Sequence, residues 1–507
     1  MKGNHWLIMT LSGFALGLAF MPVEAWRVSA TGAHPGVLYV SATDPTCGGQ
    51  SPCFSTIQAA VNAAAEGDEI RVAAGTYTGV ATATVGGNSF RQVVLITKSL
   101  TLQGGYSTTN WTQPNPTQNP TVIDAQRQGR GISIVGNGTQ TVTVAGFTIT
   151  NGDYSGLGNP PGVARLVCSR TGSDCGGGLF AFRVRLHLRD CTITNNIASR
   201  TRIFSDGGGA YLWELIGGSR VENTTFTDNQ APSSGGSGGG LNIVFGSSVA
   251  IVNSRFERNQ AASYGGGLAI FQPDEGISIE NSTFTGNRVS DDGGALEARL
   301  TFEGTALRLN RVIMRQNQAR SQGAAISLIK QGTSAASVQM TNVVLASNTL
   351  LSPGDFGAVF NVDVLSGEME LRLAHLTWAA QPALSALRLG GAPTRATLTN
   401  TLIDSAGSAF VGHQVSGEVR IRHINTLTNR VGVLHAAEAG MPIFEAVNPL
   451  RGDPRLDATH HLQAGSAAID AGVNAGVTDD VDGDRRPFGA GFDIGADEFV
   501  GPRAKGQ

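Results

Sequence analysis

The sequence predicts an all-β fold: a right-handed parallel β-helix, a solenoid with three strands per coil and a short capping α-helix at its N-terminal end. Three observations predict it. First, the chain repeats itself. A large apolar position recurs at Ile149, Ile193, Phe226, Phe256, Phe284, Met314, Leu345, Trp378 and Ile403, with spacings of 44, 33, 30, 28, 30, 31, 33 and 25 residues. A self-similar period in this range marks a repeat architecture. Second, the apolar residues inside each unit alternate, as in Leu268 and Ile270, Ile277 and Ile279, or Val249 and Ile251. That is the period of a strand and not of a helix. Third, asparagine falls in two columns. Asn196, Asn229, Asn259, Asn287, Asn317 and Asn348 stand three residues after the large apolar position, and Asn223, Asn253, Asn281, Asn342 and Asn400 three before it.

A single coil cannot bury its own apolar side, so coils stack and share one continuous core. Parallel crossovers are almost always right-handed. Asparagine and glycine tolerate the positive φ of sharp corners. Stacked asparagines can also pass amide hydrogen bonds from coil to coil.

The elements follow in order. Residues 1–25 read as a signal peptide: Lys2 is its positive start, residues 7–21 its apolar region, and Val23-Glu24-Ala25 ends on a small residue suited to cleavage. Residues 26–110 are expected to form the N-terminal cap and first coils. There Leu38-Tyr39-Val40 is a strand, and the stretch from Ser55 sets Ile57, Val61 and Ala64 on one face of an amphipathic helix, with Ser55 to cap it and Gly67 to stop it. A solenoid needs its first coil covered, and this helix is the expected plug. Residues 111–425 are the β-helix proper. The spacing of 44 reflects an insertion between Gly152 and Cys175. After Asn348 the repeat decays, with Gln381 in the asparagine column and Trp378 in the apolar one. Residues 426–500 are expected to be a C-terminal cap, and 501–507 a tail.

A family resemblance rests on particular residues. The run Ser55-Thr56-Ile57-Gln58-Ala59-Ala60, then Gly67-Asp68-Glu69-Ile70 and Ala74-Gly75-Thr76-Tyr77, resembles the start of bacterial right-handed β-helix surface proteins. The Gly-Gly and Phe-x-x-Asn units resemble polymorphic outer-membrane-protein repeats. The stretch Gly465-Ser466-Ala467-Ala468-Ile469-Asp470-Ala471-Gly472, continuing to Asp493-Ile494-Gly495-Ala496-Asp497-Glu498, resembles the closing segment of the choice-of-anchor Q group. The resemblance covers nearly all of the chain after residue 25 and implies a β-helix and export. The chain departs from that group after Phe499, where the few remaining residues offer no anchor.

Composition narrows the function classes. With 41% hydrophobic residues the chain can build a core, and a net charge of −3 gives no reason to expect nucleic acid as a partner. No stretch beyond residue 25 is long and apolar enough to span a membrane. Five cysteines suit an oxidising compartment. Cys47 with Cys53, and Cys168 with Cys175, are candidate local disulfides, which leaves Cys191 over. No cysteine pair has zinc-motif spacing.

Three groups are candidates for chemistry. Asp480, Asp482 and Asp484 alternate around Gly483 and offer hard oxygens to calcium, the one candidate cofactor; the bland alternative, which the partial ligand pattern favours, is pairing with Arg485 and Arg486. If Leu179, Leu212 and Leu268 point inward, then Phe180, Phe182, Tyr211, Trp213 and Phe271 point outward as platforms for sugar rings. Alternatively, the insertion at 153–175 folds over these rings as a satellite core. Acids stand before the Gly-Gly corners: Asp206, the pair Asp291 and Asp292, and Asp355. They are either a catalytic set or solvated corner charges, and Arg299, Arg308 and Lys330 could assist, although no motif selects them. The adjacent His460 and His461 cannot share one metal if they lie on a strand.

These features lead to an expectation of an exported extracellular or cell-surface protein whose rigid face binds polysaccharide or another cell's surface glycan. The runner-up is a polysaccharide lyase or glycosidase working in a groove along the same solenoid. The third reading is a structural spacer.

Overall fold

The computed structural model describes residues 36–501, apart from 163–166, 246–247, 274–275, 302–304, 355 and 415–416. The expected signal peptide, residues 502–507 of the tail and Asp355 lie outside the described residues.

The repeat seen in sequence is a stack of coils. One face is built from Leu179–Phe182, Ala210–Trp213, Leu241–Val244, Leu268–Phe271, Leu296–Leu300, Ile326–Lys330 and Ala358–Val364, each hydrogen-bonded in parallel to the next. A second face runs through Arg185–Arg189, Ser219–Glu222, Val249–Val252 and the first half of Ile277–Thr285. A third runs through Thr192–Thr194, Thr225–Thr227, Arg255–Glu257 and the second half of Ile277–Thr285. To the three expected strands the middle coils add a fourth of two residues each, from Gln230–Ala231 to Thr349–Leu350, pairing as a separate five-stranded sheet.

The apolar column is one unbroken file. Ile149, Ile193, Phe226, Phe256, Phe284, Met314, Leu345, Trp378 and Ile403 pair in register, coil on coil. All nine are buried. Phe226 stacks on Phe256 at 4.9 Å and Phe256 on Phe284 at 4.5 Å between ring centres. The file belongs to a single apolar cluster that reaches from Leu38 to Ile421.

The two asparagine columns do different work. Asn196, Asn229, Asn259, Asn287, Asn317 and Asn348 are buried, and the Nδ2 of each of the first five donates to Oδ1 of the next at 2.9–3.0 Å. Gln381 takes the following rung: its Nε2 donates to Leu345 O at 2.7 Å, as Asn348 donates to Met314 O at 2.9 Å. The other column turns the chain. Asn223, Asn253, Asn281, Asn342 and Asn400 all have φ between 48° and 54°, in the left-handed region that asparagine tolerates.

The N-terminal helix α1, Ile57–Ala63, buries Ile57, Ala60 and Val61 in the end of the core. Its cap is Thr56, whose hydroxyl accepts from Ala59 N–H at 3.2 Å, and not Ser55. The helix ends at Ala63, and Gly67 lies in the turn beyond it with φ 87°.

Parallel pairing continues past Asn425, through Val419–Ala439 to Leu450–Arg451, so coils extend into the region expected to be cap. From 452 onward the described chain carries no strand. It folds back along the corner column instead: Asn425 Nδ2 donates to Ala471 O at 3.0 Å, Asn400 Nδ2 to Val473 O at 2.7 Å and Asn342 Nδ2 to Asp479 O at 2.9 Å. This return strap forms one wall of a groove. Among the described residues no helix is long and apolar enough to cross a membrane.

Candidate functional site

The groove lies between the strap at 473–479 and the outward side chains of the second face, with a volume of about 880 Å³. Strand alternation and register build it. Arg308, Gln339, Arg372 and Thr397 stand in one outward file, and Asn310, Thr341, Ala374 and Thr399 in the next. The first file is exposed, and the second is half-buried under the strap. Glu280, Glu370 and Asp479 complete the wall. Two of these charges are paired, Glu370 with Arg372 at 3.1 Å and Asp479 with Arg311 at 2.9 Å. The floor is therefore a ladder of donors and acceptors repeated at the strand spacing, about 4.8 Å, with little net charge.

The sequence-predicted aromatics are not bare platforms. Phe180, Tyr211 and Trp213 are each at most 2% exposed, and Phe182 and Phe271 are partly buried beside them. The insertion covers them: Tyr154, Val167, Cys168 and Cys175 join the same cluster. Leu179, Leu212 and Leu268 do point into the main core, so alternation placed the rings on the outer side but could not say what lies over them. The cover is held by two features. The Cys168–Cys175 disulfide closes the loop. Arg170 grips both oxygens of Asp206 at 2.7 Å, with Asp206 only 2% exposed. Asp206 is thus a clasp for the insertion. The other disulfide joins Cys47 to Cys53, and the free Cys191 points into the core, where burial pushes its thiol up to about 12.

Asp291 and Asp292 fall into a cluster that the sequence did not assemble. Glu297, outward on the first face, is fully buried, and Arg299 Nε donates to its Oε1 at 2.9 Å. The Arg299 guanidinium lies 3.9 Å from the centre of the Tyr264 ring. Glu297 Oε2 is buried without a hydrogen-bond partner. Burial pushes the Glu297 carboxyl up to about 8; Arg299 pulls it back, and the Asp292 and Asp291 charges push it further. Burial, then the neighbouring Asp291, raises Asp292 to about 6, while its Oδ1 accepts from Gln322 N–H at 3.0 Å. A protonated acid beside carboxylates that titrate lower has the electrostatics of a general acid–base set. Glu297 left a faint signal in the sequence, as an acid at an outward position where Ala269 and Asn242 stand one and two coils earlier.

In the aspartate run of the C-terminal cap, Asp480 faces the protein itself. Asp480 is buried, and its carboxylate accepts from the main-chain N–H groups of Asp482, Asp484 and Glu498 at 2.8–2.9 Å. It closes a loop. Asp482 turns to His461 Nε2 at 2.8 Å. Arg486 pairs with Glu498 at 2.7 Å, both side chains 0% exposed.

With this geometry in view, a sequence model described as the right-handed β-helix region matches residues 130–350. The match and the parallel coils define the chain as a right-handed parallel β-helix protein. No curated protein sequence matches it. Among solved structures it is similar to the pectate lyase Pel9A at 12% identity and a TM-score of 0.42, over 92% of this chain and 97% of that one. It is also similar to a Yersinia enterocolitica family 28 exopolygalacturonase at 13% identity and a TM-score of 0.28, over 83% and 78%. Nothing about this chain's chemistry follows from likenesses of that strength.

Proposed function

We propose that this is an exported extracellular or cell-surface protein that binds polysaccharide along the groove between the second face and the return strap. The observation that carries the reading is the groove floor, two files of outward side chains in register over successive coils, polar at every position but Ala374. An extended polymer with hydroxyls at regular intervals can meet such a ladder along its length. The leader read from the sequence at residues 1–25, with its apolar region at 7–21, supports export.

A second reading is favoured by the Glu297 cluster, where a carboxyl held protonated near neutral pH sits beside two further acids. In that reading the protein cleaves glycosidic bonds, with Glu297 donating the proton. One assay separates the two. The purified chain is passed over neutral and acidic polysaccharides, recording retention, release of reducing ends and the absorbance of unsaturated products. Retention without products is expected. Products that vanish in E297Q would replace the binder with the enzyme, and neither retention nor products would sink both.

A further inference from the structure

We propose that the last coil of the tube is a docking surface for a second copy of this chain, joined end to end about a two-fold axis. That coil, residues 429–451, leaves the core open. None of its residues is buried, whereas Phe410 and Ile421 in the coil beneath are 0% exposed. His435 follows Phe410 in register and Phe444 follows Ile421, both on the inward side, and both are only half-buried. Around them Met441 is 84% exposed and Val433 49%, and Ile443 and Val447 are exposed as well. Among the described residues the strands of this coil pair on one side alone, 431–439 with 406–413 and Ile443–Val447 with 420–424. An open apolar end rimmed by unpaired N–H and C=O groups is a template for another chain.

Edges of this kind are usually blunted by lysine, or by proline within the strand. This coil has no lysine, and Pro442 and Pro449 stand between its strands. Its charges turn back to the coils beneath: Arg430 to Asp404 at 2.6 Å, Glu445 to Arg422 at 3.2 Å, and Glu438 to Arg388 and His413. Two arginines balance two glutamates, so no net charge repels a copy. The other end of the tube is closed, because α1 buries Ile57, Ala60 and Val61 in the core there. Head-to-tail contact, which would propagate into a fibre, is therefore blocked, and the match for the open coil is the same coil of a second copy. The C-terminal cap leaves room for it. The cap meets the last coil at Leu450 and then follows the corner column away from that end. A two-fold axis across the tube reverses the sense in which the chain circulates, so the edge strands of the two copies meet antiparallel.

The test is the mass of the purified chain by sedimentation velocity over a dilution series. We expect a monomer–dimer equilibrium that stops at two copies, with a dimer close to twice as long as the monomer by small-angle scattering. M441K and I443K lie at positions exposed in the single chain, so each should keep its fold by circular dichroism and weaken dimerisation by about 10-fold or more. L351K and L365K, exposed in earlier coils, should change nothing. Amide exchange over 443–447 should be slower in concentrated than in dilute wild type, which tests the contact without any variant. A monomer at every concentration overturns the proposal. So does a dimer that survives M441K and I443K together, one lost equally in L351K, a mass that keeps growing with concentration, or a dimer no longer than the monomer.

Discussion

Asn229 reaches Asn259 twice: its main-chain N–H and its side-chain Nδ2 both donate to the single Oδ1 of Asn259, at 3.2 and 3.0 Å. Asn259 Nδ2 in turn donates to Phe226 O at 2.9 Å. Replacing Asn259 by Ala removes the acceptor of the Asn229 main-chain N–H and of one Asn229 Nδ2 proton, while Nδ2 keeps its bond to Ile193 O at 2.8 Å, and it takes one donor from the Phe226 carbonyl. At about 1–3 kcal/mol for each unsatisfied N–H, Asn259→Ala should cost at least ~2 kcal/mol. Asn253, in the corner column, has φ 51°, so Asn253→Ala should cost only the left-handed strain, about 1–2 kcal/mol, and Asn253→Gly less. Urea midpoints of the three variants check this order. Equal losses at 253 and 259 would remove the distinction between ladder and corner.

Glu297 gives a pH dependence with a definite sign. Burial pushes its folded carboxyl up to about 8, against an ordinary 4.5, so the folded state keeps a proton that the unfolded state releases. Stability from this group is fully present below about 4.5 and falls as pH rises towards 8, by up to about 1.4 kcal/mol per unit. Asp292 and Asp493 act in the same direction, but their windows end at about 6. His375 and His423, lowered to about 3 and 4, act oppositely: their contribution is lost as pH falls below 6.5. Across pH 6.5 to 8 the difference between wild type and E297Q reads Glu297, because the other groups titrate alike in both. Wild-type Tm should fall relative to that of E297Q as pH rises. A parallel decline in both would assign the slope elsewhere.

What the sequence showed and what it concealed follow from the stacking. A solenoid repeats one environment many times, so the Phe226–Phe256–Phe284 file and the asparagine columns appear as recurrences. Their separate duties do not, because corner and ladder both select asparagine. Glu297 occurs once, so no period points to it, and its burial depends on loops from other coils. Phe180 and Tyr211 were placed on the correct face by alternation, but their cover comes from the aperiodic insertion. The return strap was the least legible: Ala471, Val473 and Asp479 are gripped through main-chain carbonyls, which every residue has.

Arg486 and Glu498 hold that aperiodic cap together. Besides the pair itself, Arg486 donates to the carbonyls of Asp479 and Gly495 at 3.1 and 2.9 Å, and Glu498 accepts from Phe488 N–H at 2.7 Å. Removing one partner of a buried pair typically costs about 3–5 kcal/mol, since the other charge stays buried. R486M should therefore open the cap locally, with faster amide exchange over 452–500, while the coils up to Leu345 keep their protection. Uniform loss of protection along the chain would mean that cap and coils unfold as one unit.

Ala374 offers the sharpest test of the groove. It is half-buried on the floor, between Thr341 and Thr399 in register, and its side chain points away from the apolar core. Ala374→Trp therefore fills the groove without overpacking the interior, and the fold should keep its wild-type Tm. Arg308→Ala and Arg372→Ala leave the volume open but remove donors from the exposed file, so each should weaken retention in part. Ala374→Trp should abolish it, and Ala374→Ser should change nothing. E297Q, on a different face, should bind as wild type does. Affinity electrophoresis in gels cast with the retained polysaccharide reads all five variants beside wild type. If Ala374→Trp migrates as wild type while E297Q is no longer retarded, binding belongs to the acid cluster and the groove is not the site.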